Sequence, residues 1–147
     1  GCQLIASCDL AYSSNKSKFA TPGVNIGLFC STPMVALSRN VNKKAAMEML
    51  LTGDLINANK AQKIGLINEV FYSSVLMERV TEVATKISNK SMQTIGIGKV
   101  AFNNQKNMSI EGAYDYTSKV MVENMLNKDS EEGIEAFLEK RNPKWDE

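Results

Sequence analysis

Only three stretches of this chain read as β-strands, all before residue 72 and none longer than six residues. Asp9-Leu10-Ala11-Tyr12 and Phe19-Ala20 flank a polar turn from Ser13 to Lys18, and Leu66-Ile67-Asn68-Glu69-Val70-Phe71 makes the third. So little strand leaves a sheet with open edges, which cannot be a whole β-layer by itself. The chain also opens at Gly1 and not at a methionine. Together these features predict the second half of a larger domain, with short strands first and helices after.

The helical part is legible from caps and periodicity. Asn42 predicts the N-cap of a helix through Leu51, with Ala46, Met49 and Leu50 on one face and Gly53 as its stop. Asn57 opens a shorter helix to Ile64, stopped by Gly65. Leu76, Val80, Val83 and Ile87 recur at i, i+4, i+7 and i+11, the pattern of an amphipathic helix. Residues 92–105 read as helix although Gly96 and Gly98 cost about 1 kcal/mol each against Ala. Ser109 caps a long helix with Ile110, Tyr114, Met121 and Met125 expected inward, and Ser130 caps a last one, Glu131 to Lys140. Acidic residues at the start of that helix and Lys140-Arg141 at its end suit its dipole. Residues 2–8 are short and apolar. Thr21 to Gly27 has no period, and its Pro and two Gly predict a backbone-driven loop. Pro33 then marks a helix start after the N-cap candidates Ser31 and Thr32.

Composition narrows function mainly by exclusion. Seventeen Lys+Arg against 16 Asp+Glu leave a net charge of +1 over 147 residues, no electrostatic footprint for nucleic acid or a membrane surface. Histidine is absent, which removes Ser-His-Asp and Cys-His pairs and any His-ligated metal site; no metal is expected. Cys2, Cys8 and Cys30 are an odd number without a CxxC spacing, so no disulfide framework or zinc knuckle is expected. Small apolar neighbours around Cys2 and Cys8 suggest buried thiols in a reducing compartment. No run reaches the roughly 18–20 apolar residues that a membrane span needs.

Three segments carry a resemblance: GCQLIASCDLAYSSNKSKFATPGVNIGLFCST at the start, AAMEMLLTGDLINANKAQKIGLINEV in the middle and EGIEAFLEKRNPKW near the end. They resemble the enoyl-CoA hydratase/isomerase (crotonase) superfamily over essentially the whole chain, and the unusual GLFCSTP at residues 27–33 points to one branch of it. The resemblance implies an α/β fold of repeated ββα units (crotonase/ClpP-like). Here that would be its C-terminal part, with residues 1–71 ending the ββα core and residues 72–147 forming a helical trimerisation and CoA-covering region. It implies acyl-CoA as the ligand with no other cofactor, a homo-trimer or hexamer, and a place in mitochondrial lipid metabolism.

In that family two backbone N–H groups hold the thioester oxygen, where charge develops and prepaid dipoles are worth several kcal/mol. Gly1 resembles the last glycine of the run that bears one donor, so the resemblance puts the donors outside this chain, one of them next to Gly1. A hydratase also needs two glutamates, one to activate water and one to protonate carbon. Their positions correspond to Gln3 and Gly23, and a third acid position used in other branches corresponds to Ser31. None carries an acid, so no catalytic residue is assigned, and hydration or double-bond isomerisation of the usual kind is in doubt. Reinstating both carboxylates, Gln3→Glu with Gly23→Glu, is expected to raise any hydration rate if the scaffold still positions substrate. Cys30 is a weak candidate nucleophile, lacking a base, against a small packed residue. Gln3 is read equally as a donor to the acyl group or a polar residue on a first helical turn, and Asp9 as structural. Lys140 falls where the family has a lysine reaching the CoA phosphates, and Phe137 and Met121 where side chains line the adenine. Against this, Phe137 reads as core and Lys140 as a helix-end cation. The remaining readings are a non-catalytic acyl-CoA binding or regulatory protein, and a structural subunit of mixed trimers.

Overall fold

The computed structural model describes residues 1–146, which form two compact units, Gly1–Glu82 and Val83 onward. In the first, α1 (Cys2–Ser7) precedes two strands, β1 (Tyr12–Ser14) and β2 (Lys18–Phe19). A 3-10 helix (Pro22–Ile26) ends on Gly27, whose φ of 79° is the left-handed conformation that costs a glycine little. Then come α2 (Ser31–Asn40), α3 (Lys43–Thr52), β3 (Ile56–Asn57), α4 (Ala58–Lys63) and β4 (Glu69–Phe71). Helix α5 (Leu76–Ser88) crosses the boundary between the units. The second unit continues with α6 (Met92–Gln105), α7 (Ile110–Met125) and α8 (Lys128–Leu138).

The strands form two separate pairs. β1 lies parallel to β4, with Tyr12 opposite Glu69 and Ser14 opposite Phe71, and β2 lies antiparallel to β3. A parallel pair needs a long crossover, and here everything from β2 to α4 supplies it. β1 begins at Tyr12, three residues after the expected start at Asp9, and β4 keeps only the last half of Leu66–Phe71. Leu66 and Ile67 are instead fully covered and join the core. That core gathers Leu37 from α2, Ala46, Met49 and Leu50 from α3, Ala58 and Ala61 from α4, and Phe19 from β2.

The caps at Asn42, Asn57 and Ser109 form as expected, each side chain accepting a backbone N–H three residues on. Gly53 and Gly65 stop their helices with φ of 65° and 83°. Ser130 is not a cap: α8 starts three residues earlier, after Asn127, and the Ser130 hydroxyl donates to the Asn124 carbonyl. α2 begins at Ser31 itself, after Cys30, so neither Ser31 nor Thr32 caps it. Ile110, Tyr114, Met121 and Met125 are exposed, Ile110 by 80 %, and α7 has no buried residue. The pattern does form an apolar face, and among the described residues nothing buries it. Cys8 is exposed and Cys2 and Cys30 are half-buried, which corrects the expectation of two buried thiols at positions 2 and 8; all three are free. No described helix is long and apolar enough to cross a membrane.

Candidate functional site

Gln3 lies in the first turn of α1 with its residue exposed, and its carbonyl accepts the Ser7 hydroxyl at 2.9 Å. α1 packs on α2, where the Asn40 side-chain amide donates to the Ala6 carbonyl at 2.7 Å. The geometry gives Gln3 an exposed first-turn helix position.

Gly23 sits in a turn that closes on itself. Its N–H donates to the Cys30 Sγ at 3.3 Å, and its carbonyl accepts the Leu28 N–H at 2.9 Å. A Cβ added at Gly23 would stand 2.5 Å from the Leu28 carbonyl oxygen and 2.8 Å from the Cys30 Sγ. Position 23 therefore has no room for any side chain. Its φ is not in the left-handed region, so the obstacle to Gly23→Glu is contact with neighbouring atoms. The turn is backed from behind: the buried Thr21 hydroxyl donates to the Met49 carbonyl at 3.0 Å. A Cβ at Gly53 would meet the Asn25 Oδ1 at 2.9 Å and the Val24 Cγ2 at 3.0 Å, so α3 ends against the same turn. Ser31, at the third acid position, is exposed, and its hydroxyl donates to the Phe29 carbonyl at 3.3 Å. Among the described residues no cluster of three His, Cys, Asp or Glu side chains stands ready for a metal ion.

Cys30 has the Gly23 N–H as a neighbour and no base. Burial pushes the nearby Cys2 thiol up from its ordinary pKa, and the Cys30 thiol pushes it the same way. Neither effect activates a nucleophile.

In the second unit, Phe137 is 81 % exposed and stands on α8 beside an apolar groove of about 550 Å³. Ile95, Met125, Ile134, Leu138 and Trp145 line the same groove. Met121 is exposed on α7 and does not line it. Lys140 lies past the end of α8 with φ of 57°, the one described non-glycine residue in the left-handed region. The Arg141 N–H reaches back to the Ala136 carbonyl at 3.0 Å and the Lys140 N–H to the Phe137 carbonyl at 3.3 Å. This is the Schellman end of a helix, where glycine is the usual residue. An exposed lysine in that conformation is less relaxed than the glycine usual there.

After Lys140 the chain folds back along α8 and is fastened there. Arg141 makes a two-pronged ion pair with Glu132 at 2.6 and 2.9 Å, and Glu132 also accepts the Lys144 N–H at 2.7 Å. The Arg141 guanidinium holds the Glu132 carboxyl down at a pKa of about 2. Trp145 lies against Gly133, and its indole N–H donates to the Asn89 carbonyl at 2.9 Å. The buried Asp129 takes the Ser91 hydroxyl on one oxygen and the Asp146 N–H on the other. The residues of this fastening, Ser91, Asp129, Glu132 and Trp145, were missed by sequence reasoning. Glu132, Arg141 and Trp145 do stand in the segment EGIEAFLEKRNPKW that carries the resemblance, but their spacing has no helical meaning.

A family model described as enoyl-CoA hydratase/isomerase matches residues 1–147. The mitochondrial enoyl-CoA hydratase domain-containing protein 3 of Rattus norvegicus is 51% identical over 145 residues, 99% of this chain and 48% of that protein. The crystal structure of human enoyl-CoA hydratase domain-containing protein 3 superposes with a TM-score of 0.95 at 49% identity, covering 98% of this chain and 57% of that one. The enoyl-CoA hydratase structure from Mycobacterium smegmatis gives 0.96 at 46% identity, over 99% and 56% of the two chains. The chain spans about half the length of the curated relatives it matches. On the match to its whole length, and on the crotonase fold it shares with these structures, the chain belongs to the enoyl-CoA hydratase/isomerase family.

Proposed function

We propose that these residues belong to an acyl-CoA-binding protein of mitochondrial lipid metabolism whose site has given up the acid pair of a hydratase. The observation that carries this reading is Gly23, where a Cβ would stand 2.5 Å from a backbone oxygen. An acid at that position is both missing and without space. With Gln3 and Ser31 also unable to titrate near neutral pH, no group at the three positions activates water or delivers a proton. What such a protein retains is recognition of the thioester and its CoA; in the second unit, Lys140 offers a point charge for phosphate and Phe137 an apolar surface. Acyl-CoA is then a ligand, and no further cofactor is needed. The mitochondrial setting is taken from the names of relatives such as the rat protein.

The experiment is a pair of measurements on the complete protein: calorimetric binding of acyl-CoA, and crotonyl-CoA hydration followed by absorbance loss. Micromolar binding without turnover is the expected result. Clear turnover would assign the chemistry to acids outside positions 3, 23 and 31, and absence of binding would overturn the reading.

One observation favours a second reading, a structural subunit of mixed trimers with active relatives. The apolar face of α7 is exposed along its length, from Ile110 to Met125, and a face of that kind marks an interaction surface. Mass measurement on co-expressed subunits separates self-assembly from mixed assembly.

A further inference from the structure

We propose that the apolar groove of the second unit binds a fatty-acid anion, with its carboxylate at Lys90 and its chain lying along α8. The inference stands apart from the three acid positions and from the thioester site. It follows from which polar groups of the lining are already spent. The Ser91 hydroxyl goes to Asp129, whose other oxygen takes the Asp146 N–H. Asp129 is the one acid of the lining, and it is buried between these two donors. The Ser130 hydroxyl goes to the Asn124 carbonyl at 2.5 Å, and the Thr94 hydroxyl to the Asn124 Oδ1 at 3.4 Å. The indole N–H of Trp145 is taken by the Asn89 carbonyl. What these bonds leave over is donors: the Asn124 amide N–H groups and the exposed Lys90 ammonium, which pairs with no carboxylate among the described residues. The Thr94–Asn124 contact sets the end of α7 beside the first turn of α6, which Lys90 directly precedes, so both donors belong to one end of the groove. Toward the other end stand Ile134, Phe137 and Leu138. α8 lines the groove from Asp129 to Leu138, about 14 Å of helix, and its volume of about 550 Å³ suits a small molecule. Donors at one end and apolar side chains along the rest match an aliphatic chain that ends in a carboxylate. A neutral chain would leave the Lys90 charge unanswered.

The test uses the complete protein, with decanoate as the probe and decanol as its uncharged counterpart. Calorimetry is expected to show micromolar binding of decanoate and weaker binding of decanol. Lys90→Met keeps the length of the side chain and removes its charge, so it should weaken decanoate by about tenfold and leave decanol unchanged. Ile134→Asp puts a carboxylate into the groove wall and should abolish binding of both. Lys86→Met, an exposed helical lysine outside the groove, is the control and should bind decanoate as the parent does. No decanoate binding by the parent overturns the proposal, and so does equal affinity in Lys90→Met, a surface change that decides the matter even where Ile134→Asp does not fold. Displacement of decanoate by CoA overturns it too, by giving the groove beside Phe137 to the coenzyme. A parent that binds no decanoate, with an assembly that Ile134→Asp breaks in ultracentrifugation, gives the groove to a second copy of the chain. Acyl-CoA binding by Lys90→Met is scored separately, so failure of the acyl-CoA reading and failure of the fatty-acid site give different results.

Discussion

At Lys140, the helix end that the structure shows and the proposed phosphate contact make demands that pull apart. Its left-handed conformation ends α8 and sends the chain back along the helix, work that glycine does with less strain. Its charge has no such substitute if it meets the CoA phosphates. Lys140→Gly is therefore expected to stabilise the protein by up to about 1 kcal/mol in urea denaturation, while acyl-CoA affinity falls. Lys140→Ala keeps the strain and loses the charge, so it should lose affinity without the gain in stability. Equal affinity in all three proteins would leave Lys140 a helix-end residue only. The sequence announces the lysine within FLEKR but not its conformation, because a residue past a helix end is set by where the chain goes next. Gly23 is the same lesson in reverse. Its identity was plain, yet its meaning depends on Leu28 and Cys30, five and seven residues away at no regular period, and only the folded turn brings them together.

Among the elements, the returning segment from Arg141 to Asp146 depends most on a single side chain. Glu132 receives two guanidinium bonds and one backbone N–H from it. Its carboxyl has a folded pKa of about 2 against an ordinary 4.5, so the folded state binds that proton less tightly than the unfolded chain does. The resulting stabilisation is complete above pH about 4.5 and is lost as the pH falls toward about 2. Trp145, the single tryptophan, reports on the segment. Its emission is expected to shift red over that acid range, and in Glu132→Gln to be red-shifted already at pH 7. Unaltered emission in the variant would mean that Trp145 and Asp129 hold the segment without Glu132. Helices were the most legible elements, since a cap such as Asn42 is a local event that needs only three further residues. The two-residue β3 was invisible: it exists only as the partner of β2 and has no pattern of its own. α8 begins earlier, after Asn127, whose side chain makes no capping bond; the Ser130 and Glu131 N–H groups go instead to the Asn127 backbone carbonyl.

For the whole molecule, the exposed apolar faces carry the main expectation. Periodicity identified the stripe on α7 but not its burial, because a pattern records that a face is apolar and not what covers it. Leu126, 83 % exposed at the end of α7, is a direct probe. In the complete protein Leu126→Asp is expected to shift the assembly toward smaller species in analytical ultracentrifugation, whereas Lys106→Asp, on α6's C-cap, should leave it intact. An unchanged mass in Leu126→Asp would place the subunit contact elsewhere. The Ser91–Asp129 contact has a consequence of its own. One hydroxyl caps α6 by accepting the Thr94 N–H and at the same time donates to the first turn of α8, whose carboxylate also holds the Asp146 amide. Neither helix start can fray without stranding a buried carboxylate or hydroxyl of the other. The two ends and the final segment therefore open as one cooperative unit, so their slowest amide protons exchange with solvent at a shared rate set by a single opening event.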